Sequence, residues 1–179
     1  MPRVNARAGG AATLLAGAVL AAGLLVRPDA VAGASAQPVK RCSARAATDA
    51  ILRSRLPRDV KALVSSDRYA GVGKVICHDF TRDRRADMAV TIFSGGTAGD
   101  VAWLVFRRTD AGWRLALRRL HLYKLYLRRA GDALVETQPF YRRGDANCCP
   151  TGGYDHVRFQ WKKGRFVAVR RWHSRRLRG

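Results

Sequence analysis

Two short stretches of this chain gather side chains able to do chemistry. Residues 79–87, Asp79-Phe80-Thr81-Arg82-Asp83-Arg84-Arg85-Ala86-Asp87, put oxygen-bearing side chains at loop positions 1, 3, 5 and 9. Asp79, Thr81, Asp83 and Asp87 at that spacing can converge on one hard cation. The metal-free alternative has the loop's arginines replace the ion and pair with the same aspartates. The second stretch, residues 144–153, carries adjacent cysteines, Cys148 and Cys149, ahead of Pro150-Thr151-Gly152-Gly153, with His156 close behind. Closed on each other, these cysteines would form a strained and therefore reducible ring, a candidate for thiol–disulfide activity. They make a poor zinc site, because zinc ligands are usually spaced by two to four residues.

Other catalytic patterns are missing from the sequence. Neither G-x-S-x-G nor H-E-x-x-H occurs, Glu136 is the only glutamate, and His78, His121, His156 and His173 are scattered. Aspartates in the arginine-rich loop would have their pKa values lowered by neighbouring cations, which disfavours an acid role. The expectation is a non-enzymatic protein with no catalytic residue, and with a hard cation at residues 79–87 as its one candidate cofactor.

The elements that must position these stretches can be read from periodicity. Leu52, Leu56, Val60 and Leu63 recur at helical spacing within residues 44–64, and Pro57 predicts a kink or a division into two helices. After residue 67 the period changes to two. Residues 72–80 and 87–94 read as strands, and residues 101–107, apolar on both faces, as a central strand. Trp113, Leu115 and Leu117 alternate with Arg114, Ala116 and Arg118, which predicts a strand with one wet face. The last hairpin is the cleanest: Val157, Phe159 and Trp161 share a face, residues 162–164 turn, and residues 165–171 return. The expected fold is α+β, with N-terminal helices packed on an antiparallel β-meander sheet.

Location comes from the first 36 residues. Arg3 and Arg7, the uncharged apolar run 11–26 and the small-x-small step Ala34-Ser35-Ala36 read as a cleavable signal peptide. The run is short for a membrane span, so no transmembrane segment is expected after cleavage, and the mature domain covers residues 37–179 with a short flexible lead at 37–41. Cys42 does not follow the small residues directly, so no lipid anchor is indicated. Removing Arg3, Arg7, Arg27 and Asp29 from the 34 basic and 13 acidic residues leaves 31 and 12, a net charge of +19. Such a field attracts polyanions: nucleic acid, acidic wall polymers or anionic headgroups. Export makes nucleic acid the unlikely partner and an anionic cell-envelope polymer the natural one. A genome biased towards arginine is the alternative source of the same charge.

The strongest electrostatic candidate is the basic C-terminal tail, with Arg170, Arg171, Arg175, Arg176 and Arg178 near a free end. A second basic stretch, 118–129, interleaves Arg118, Arg119, Lys124, Arg128 and Arg129 with Tyr123 and Tyr126. Export also predicts that Cys42, Cys77, Cys148 and Cys149 form two disulfides. The favoured arrangement has two long-range bridges tying Cys148 and Cys149 to Cys42 and Cys77. The alternative joins Cys42 to Cys77 and Cys148 to Cys149.

Two resemblances attach to these stretches. Residues 77–90, from Cys77-His78-Asp79 to Met88-Ala89-Val90, resemble one calcium loop of FG-GAP or VCBS repeats, with Arg82 and Arg84 at positions where that family has glycine. The resemblance implies ligand roles for Asp79, Thr81, Asp83 and Asp87 in a calcium-dependent binding module. The CCP turn at 148–150, entering the aromatic strand Tyr154-Asp155-His156-Val157-Arg158-Phe159-Gln160-Trp161, is similar to the C-terminal motif of LppP/LprE-like secreted proteins and lipoproteins of actinobacteria. It implies a secreted envelope protein, released or held at the cell wall.

Overall fold

A serine starts the first helix. Ser43 caps α1 (Ala44–Arg53) by accepting the Ala46 N–H at 3.1 Å, and the helix stops where the Ser54 hydroxyl turns back to the Ile51 carbonyl at 2.6 Å. Pro57 then precedes α2 (Arg58–Ser65), and its carbonyl accepts the Lys61 N–H, so the helical stretch divides at the proline as expected. The buried face is not the expected one throughout. Leu52 is 38 % exposed, while Ala46, Ala47, Ala50 and Ile51 are buried with Leu56 and Val60. Small side chains let α1 lie close to the layer beneath it, a contact that the spacing of large residues does not report. The computed structural model describes residues 41–65 and 69–178. The expected signal peptide and most of the expected lead at 37–41 lie outside the described residues, as do Ser66 and Asp67.

Eight antiparallel strands follow. β1 (Gly71–His78), β2 (Asp87–Phe93), β3 (Asp100–Thr109) and β4 (Gly112–Arg119) form one meander, and β5 (Tyr126–Ala130), β6 (Ala133–Pro139), β7 (Tyr154–Lys162) and β8 (Arg165–Ser174) form another. The α+β class with helices ahead of a meander stands, but the expected single sheet is two four-stranded sheets. Met88, Val90, Ile92, Leu104 and Phe106 pack with the helices, whereas Ala89, Trp103 and Val105 pack with Leu127, Leu134 and Phe159 of the second sheet. The layers therefore run helices, first sheet, second sheet. β2 and β3 are apolar on both faces because both faces are covered. Trp103 is fully buried between the sheets, and its ring meets that of Phe159 edge-on at 5.2 Å. A buried aromatic of this size removes about 150–250 Å² from water, on the order of 4–6 kcal/mol.

One irregularity decides which layer β4 serves. Phe106 lies opposite Leu115 but its neighbour Val105 lies opposite Leu117, so Ala116 is an extra residue in the ladder. Trp113 and Leu115 consequently join the helix-side core while Leu117 joins the core between the sheets. The expectation that all three share one face, with the other wet, is corrected by this bulge.

The cysteines pair as Cys42–Cys77 and Cys148–Cys149, with no free thiol among the described residues. The favoured pair of long-range bridges does not form. α1 packs on β1, which brings the Cα atoms of Cys42 and Cys77 within 6.0 Å, while residues 148 and 149 lie in the 140–153 loop against a different part of the domain. The Cys42–Cys77 bridge spans 35 residues and is worth about 3–4 kcal/mol by closing that loop in the unfolded chain.

Candidate functional site

The 79–87 loop satisfies its own carboxylates. Asp79 accepts the backbone N–H groups of Asp83 and Arg84 at 3.1 and 2.7 Å, and Asp83 accepts that of Arg85 at 3.0 Å. Asp87 is fully buried and accepts the N–H groups of Thr81 at 2.9 Å and Arg108 at 3.1 Å; burial nevertheless holds its carboxyl above the ordinary aspartate range. Arg82 and Arg84 adopt φ of 60° and 66°, the left-handed conformation for which glycine is suited at these positions of the calcium loop. The acids of the loop bind its backbone amides. The arginines do not pair with the same aspartates either: Arg82 reaches Asp132 at 3.0 Å and Arg85 reaches Asp110 at 2.7 Å. Among the described residues no three His, Cys, Asp or Glu side chains gather around a common point.

The basic residues are sorted by the sheets. Arg119 is drawn between the layers, where its guanidinium donates to Glu136 at 2.9 and 3.1 Å; Trp103 Nε1 and Gln138 complete the carboxylate at 2.5 and 2.8 Å. Burial opposes ionisation of Glu136, but the bonds from Arg119 and Trp103 outweigh it and hold the carboxyl below its ordinary range. The same pairing raises the Arg119 pKa. Lys124 points to the Asn147 carbonyl and lies over the rings of Tyr123 and Tyr141. Arg129 approaches His78 and the Gly131 carbonyl.

Arg128 belongs elsewhere. In the second sheet Arg128 pairs with Val135, Val135 with Arg158, and Arg158 with Arg170, so these four residues form one row across all four strands. The row lies on the face turned away from the first sheet, because its neighbours in each strand, Leu127, Leu134 and Val157 among them, fill the core. The adjacent row on the same face is Tyr126, Thr137, His156 and Trp172. Arg170 lies over the Trp172 ring at 5.2 Å, and Trp172 stacks on His156 at 4.8 Å with the rings 12° apart. His156 is 1 % exposed and bonded through both ring nitrogens, to Thr137 at 2.8 Å and Ser174 at 2.8 Å. Burial, followed by the charge of Arg128, holds its pKa below the ordinary histidine range. With both nitrogens engaged it serves the sheet and is not a partner for Cys148 or Cys149.

Arg158 donates to the Ala130 carbonyl at 3.1 Å, and Arg128 Nε is buried with no hydrogen-bond partner among the described residues. None of the ion pairs among the described residues involves Arg128, Arg158 or Arg170. The expected tail is therefore redistributed. Arg170 and Arg171 are strand residues, with Arg171 opposite Val157 on the other face, and only Arg175, Arg176 and Arg178 follow the end of β8. The arginine row was invisible in sequence because its members come from three segments that only strand register aligns.

Beside this face lies a cavity of about 380 Å³ at one end of the two sheets. Phe93, Tyr126, Pro139, Tyr154, Pro150 and Cys148 supply its apolar walls, and Thr97, Asp100 and Lys124 its polar groups. The chain between β4 and β5 closes one side by hydrogen bonding Leu122 to Val101, Lys124 to Ala98 and Leu125 to Asp100. The 140–153 loop closes the other. Asp145 holds its ends together by accepting the Arg142 and Thr151 N–H groups at 2.8 Å each and the Thr151 hydroxyl at 2.7 Å. Asn147 meets Tyr123, Lys124 and Tyr141. Gly152 is required by packing, since a Cβ there would fall 2.3 Å from the Phe140 carbonyl oxygen, while Gly153 adopts a positive φ of 89°. The CCP segment is thus a fastened wall of a cavity. The chain matches no protein-family model, no curated protein and no solved structure.

Proposed function

We propose that this protein is exported, is non-enzymatic, and binds an anionic polymer of the cell envelope through Arg128, Arg158 and Arg170. The observation that carries the reading is the pairing of Arg158 directly opposite Arg170, with Arg128 in the same row and no carboxylate paired with any of the three among the described residues. Like charges opposite each other on a sheet are destabilising, and an anion laid across the row removes that cost. Strands spaced about 4.8 Å apart put the outer members within roughly 15 Å, a span suited to successive charges of a linear polymer. The apolar run at the N-terminus and the likeness of the CCP segment to LppP/LprE-like envelope proteins support the same destination.

Binding of this kind releases counterions and weakens with salt by roughly 0.7–0.9 in log K per log[salt] for each contact. The test is retention of the purified protein on isolated cell wall across a salt series. The wild type is expected to be retained at low salt and released as salt rises, and the Arg158→Glu/Arg170→Glu variant to lose retention while remaining folded. Retention that ignores salt, or that survives the double substitution, would overturn the reading.

A further inference from the structure

The cavity and the arginine row are parts of one surface. On the outer face of the second sheet the row Arg128–Val135–Arg158–Arg170 is followed by Tyr126–Thr137–His156–Trp172 and then by Pro139–Tyr154–Ser174. Tyr126, Pro139 and Tyr154 of those rows also line the cavity. Arg158 and Tyr154 are four positions apart on β7, about 13 Å along the strand. A chain whose charges lie on the arginines therefore has a neighbouring unit at the mouth of the cavity.

The cavity's chemistry narrows that unit. Its volume of about 380 Å³ falls within the ~300–1,000 Å³ of small-ligand sites. The lining combines Phe93, Tyr126, Tyr154, two prolines and Cys148 with Asp100, Thr97 and Lys124, residues that carry a carboxylate, a hydroxyl and an ammonium. Asp100 is held in place by Thr91 and lies in the field of Lys74. Gly73 makes room for this arrangement, since a Cβ there would stand 2.7 Å from the Thr91 hydroxyl and 2.9 Å from the Asp100 carboxylate. The Asp100 carboxylate and the Lys124 ammonium, bonded to Thr91 and to the Asn147 carbonyl, keep lone pairs and donors to spare that a lipid tail would not use. A nucleobase would bring one or two N–H donors to Asp100. A pyranose ring brings several hydroxyl donors on its rim and C–H faces for the tyrosines and prolines, which matches both halves of the lining.

We infer that the cavity seats a sugar ring of the polymer held by the arginine row, which makes the ligand class an acidic polysaccharide. This rests on the polyanion reading above and adds the identity of the repeating unit. The test compares the full chain's dissociation constants for polygalacturonate, alginate and hyaluronan fragments with that for inorganic polyphosphate of matched charge. At least one polysaccharide is expected to bind about tenfold tighter than polyphosphate, the size of one ring-stacking contact. Tyr126→Ala, at a side chain 49 % exposed, and Tyr154→Ala are expected to erase that margin while leaving polyphosphate binding unchanged. No margin for any of the three polysaccharides, a margin that survives both variants, or the same tyrosine-dependent margin for single-stranded DNA would overturn the sugar assignment. Absence of polyphosphate binding in the wild type, or its survival in Arg158→Glu/Arg170→Glu, would instead overturn the arginine row.

Discussion

The two faces of the second sheet treat arginine in opposite ways. Towards the first sheet, Arg119 is matched to a buried carboxylate whose oxygens are engaged by Arg119, Trp103 and Gln138. Away from it, Arg128, Arg158 and Arg170 stand in a row with no carboxylate partner among the described residues. Between the sheets an unmatched charge would cost several kcal/mol, so charge there is neutralised within the fold. On the outer face solvent lowers that cost to a few tenths, which leaves the charges available to a ligand. The chain's only glutamate is spent on the inside.

The contrast can be broken most severely at Glu136. Glu136→Ala leaves the Arg119 guanidinium and the Trp103 N–H without their acceptor, and a loss of about 3–5 kcal/mol in urea unfolding is expected. A loss below about 1 kcal/mol would mean that the inner pair is ornamental. Gly152→Ala is next, because the added methyl meets the Phe140 carbonyl oxygen; about 1–3 kcal/mol is expected, with a larger fall in polysaccharide affinity than in polyphosphate affinity. Arg158→Glu/Arg170→Glu sharpens the comparison from the other side. Stability should change by less than about 0.5 kcal/mol while polyanion affinity falls at least tenfold, the reverse of the Glu136 result.

Acid provides a graded version. The Glu136 carboxyl is held below its unfolded value, so its contribution is present above about pH 4.5 and is lost as pH falls through the lower folded value. Asp87 and Asp100 are held above their ordinary range by burial and act with the opposite sign, favouring the fold as they protonate. The difference between wild type and Glu136→Gln in pH-dependent unfolding isolates the glutamate; no difference on acidification would contradict the inner pairing. The smallest expected effect is at His156. Polymer binding should neutralise Arg128 and raise the His156 pKa towards the ordinary value, a shift readable by NMR titration with and without polyphosphate. An unchanged titration with bound polymer would place the polymer elsewhere.

Local patterns were legible in the sequence where one residue acts within its own element. Pro57 announces the division of the helices, and the alternation of Val157, Phe159 and Trp161 announces the last hairpin and its inward face. Long-range outcomes were not. Two four-stranded meanders have the same alternation as one longer sheet, and the bulge at Ala116 moves Leu117 to another core without a mark in composition. Large apolar residues drew attention to Leu52, while the helix packs through alanines. The candidate site was half legible: the CCP turn is evident as a motif, but its role as a cavity wall depends on residues from four other segments. In the 79–87 loop the spacing of the oxygens is also suited to capturing backbone amides, which periodicity does not report.

The extra residue in β4 has a mechanical consequence. Trp113 and Leu115 are seated among the helices, while Leu117 and Arg119, a few residues along the same strand, are seated against the second sheet. Ala116 acts as a crank between two offset shafts: a displacement of the helix layer is passed to the Glu136 junction as torsion of a single strand. Deleting that one residue would make Leu115 opposite Phe106 and Leu117 opposite Val105 consecutive pairs of a regular ladder, so both seats and the facing of Arg119 would be kept and only the offset between them lost.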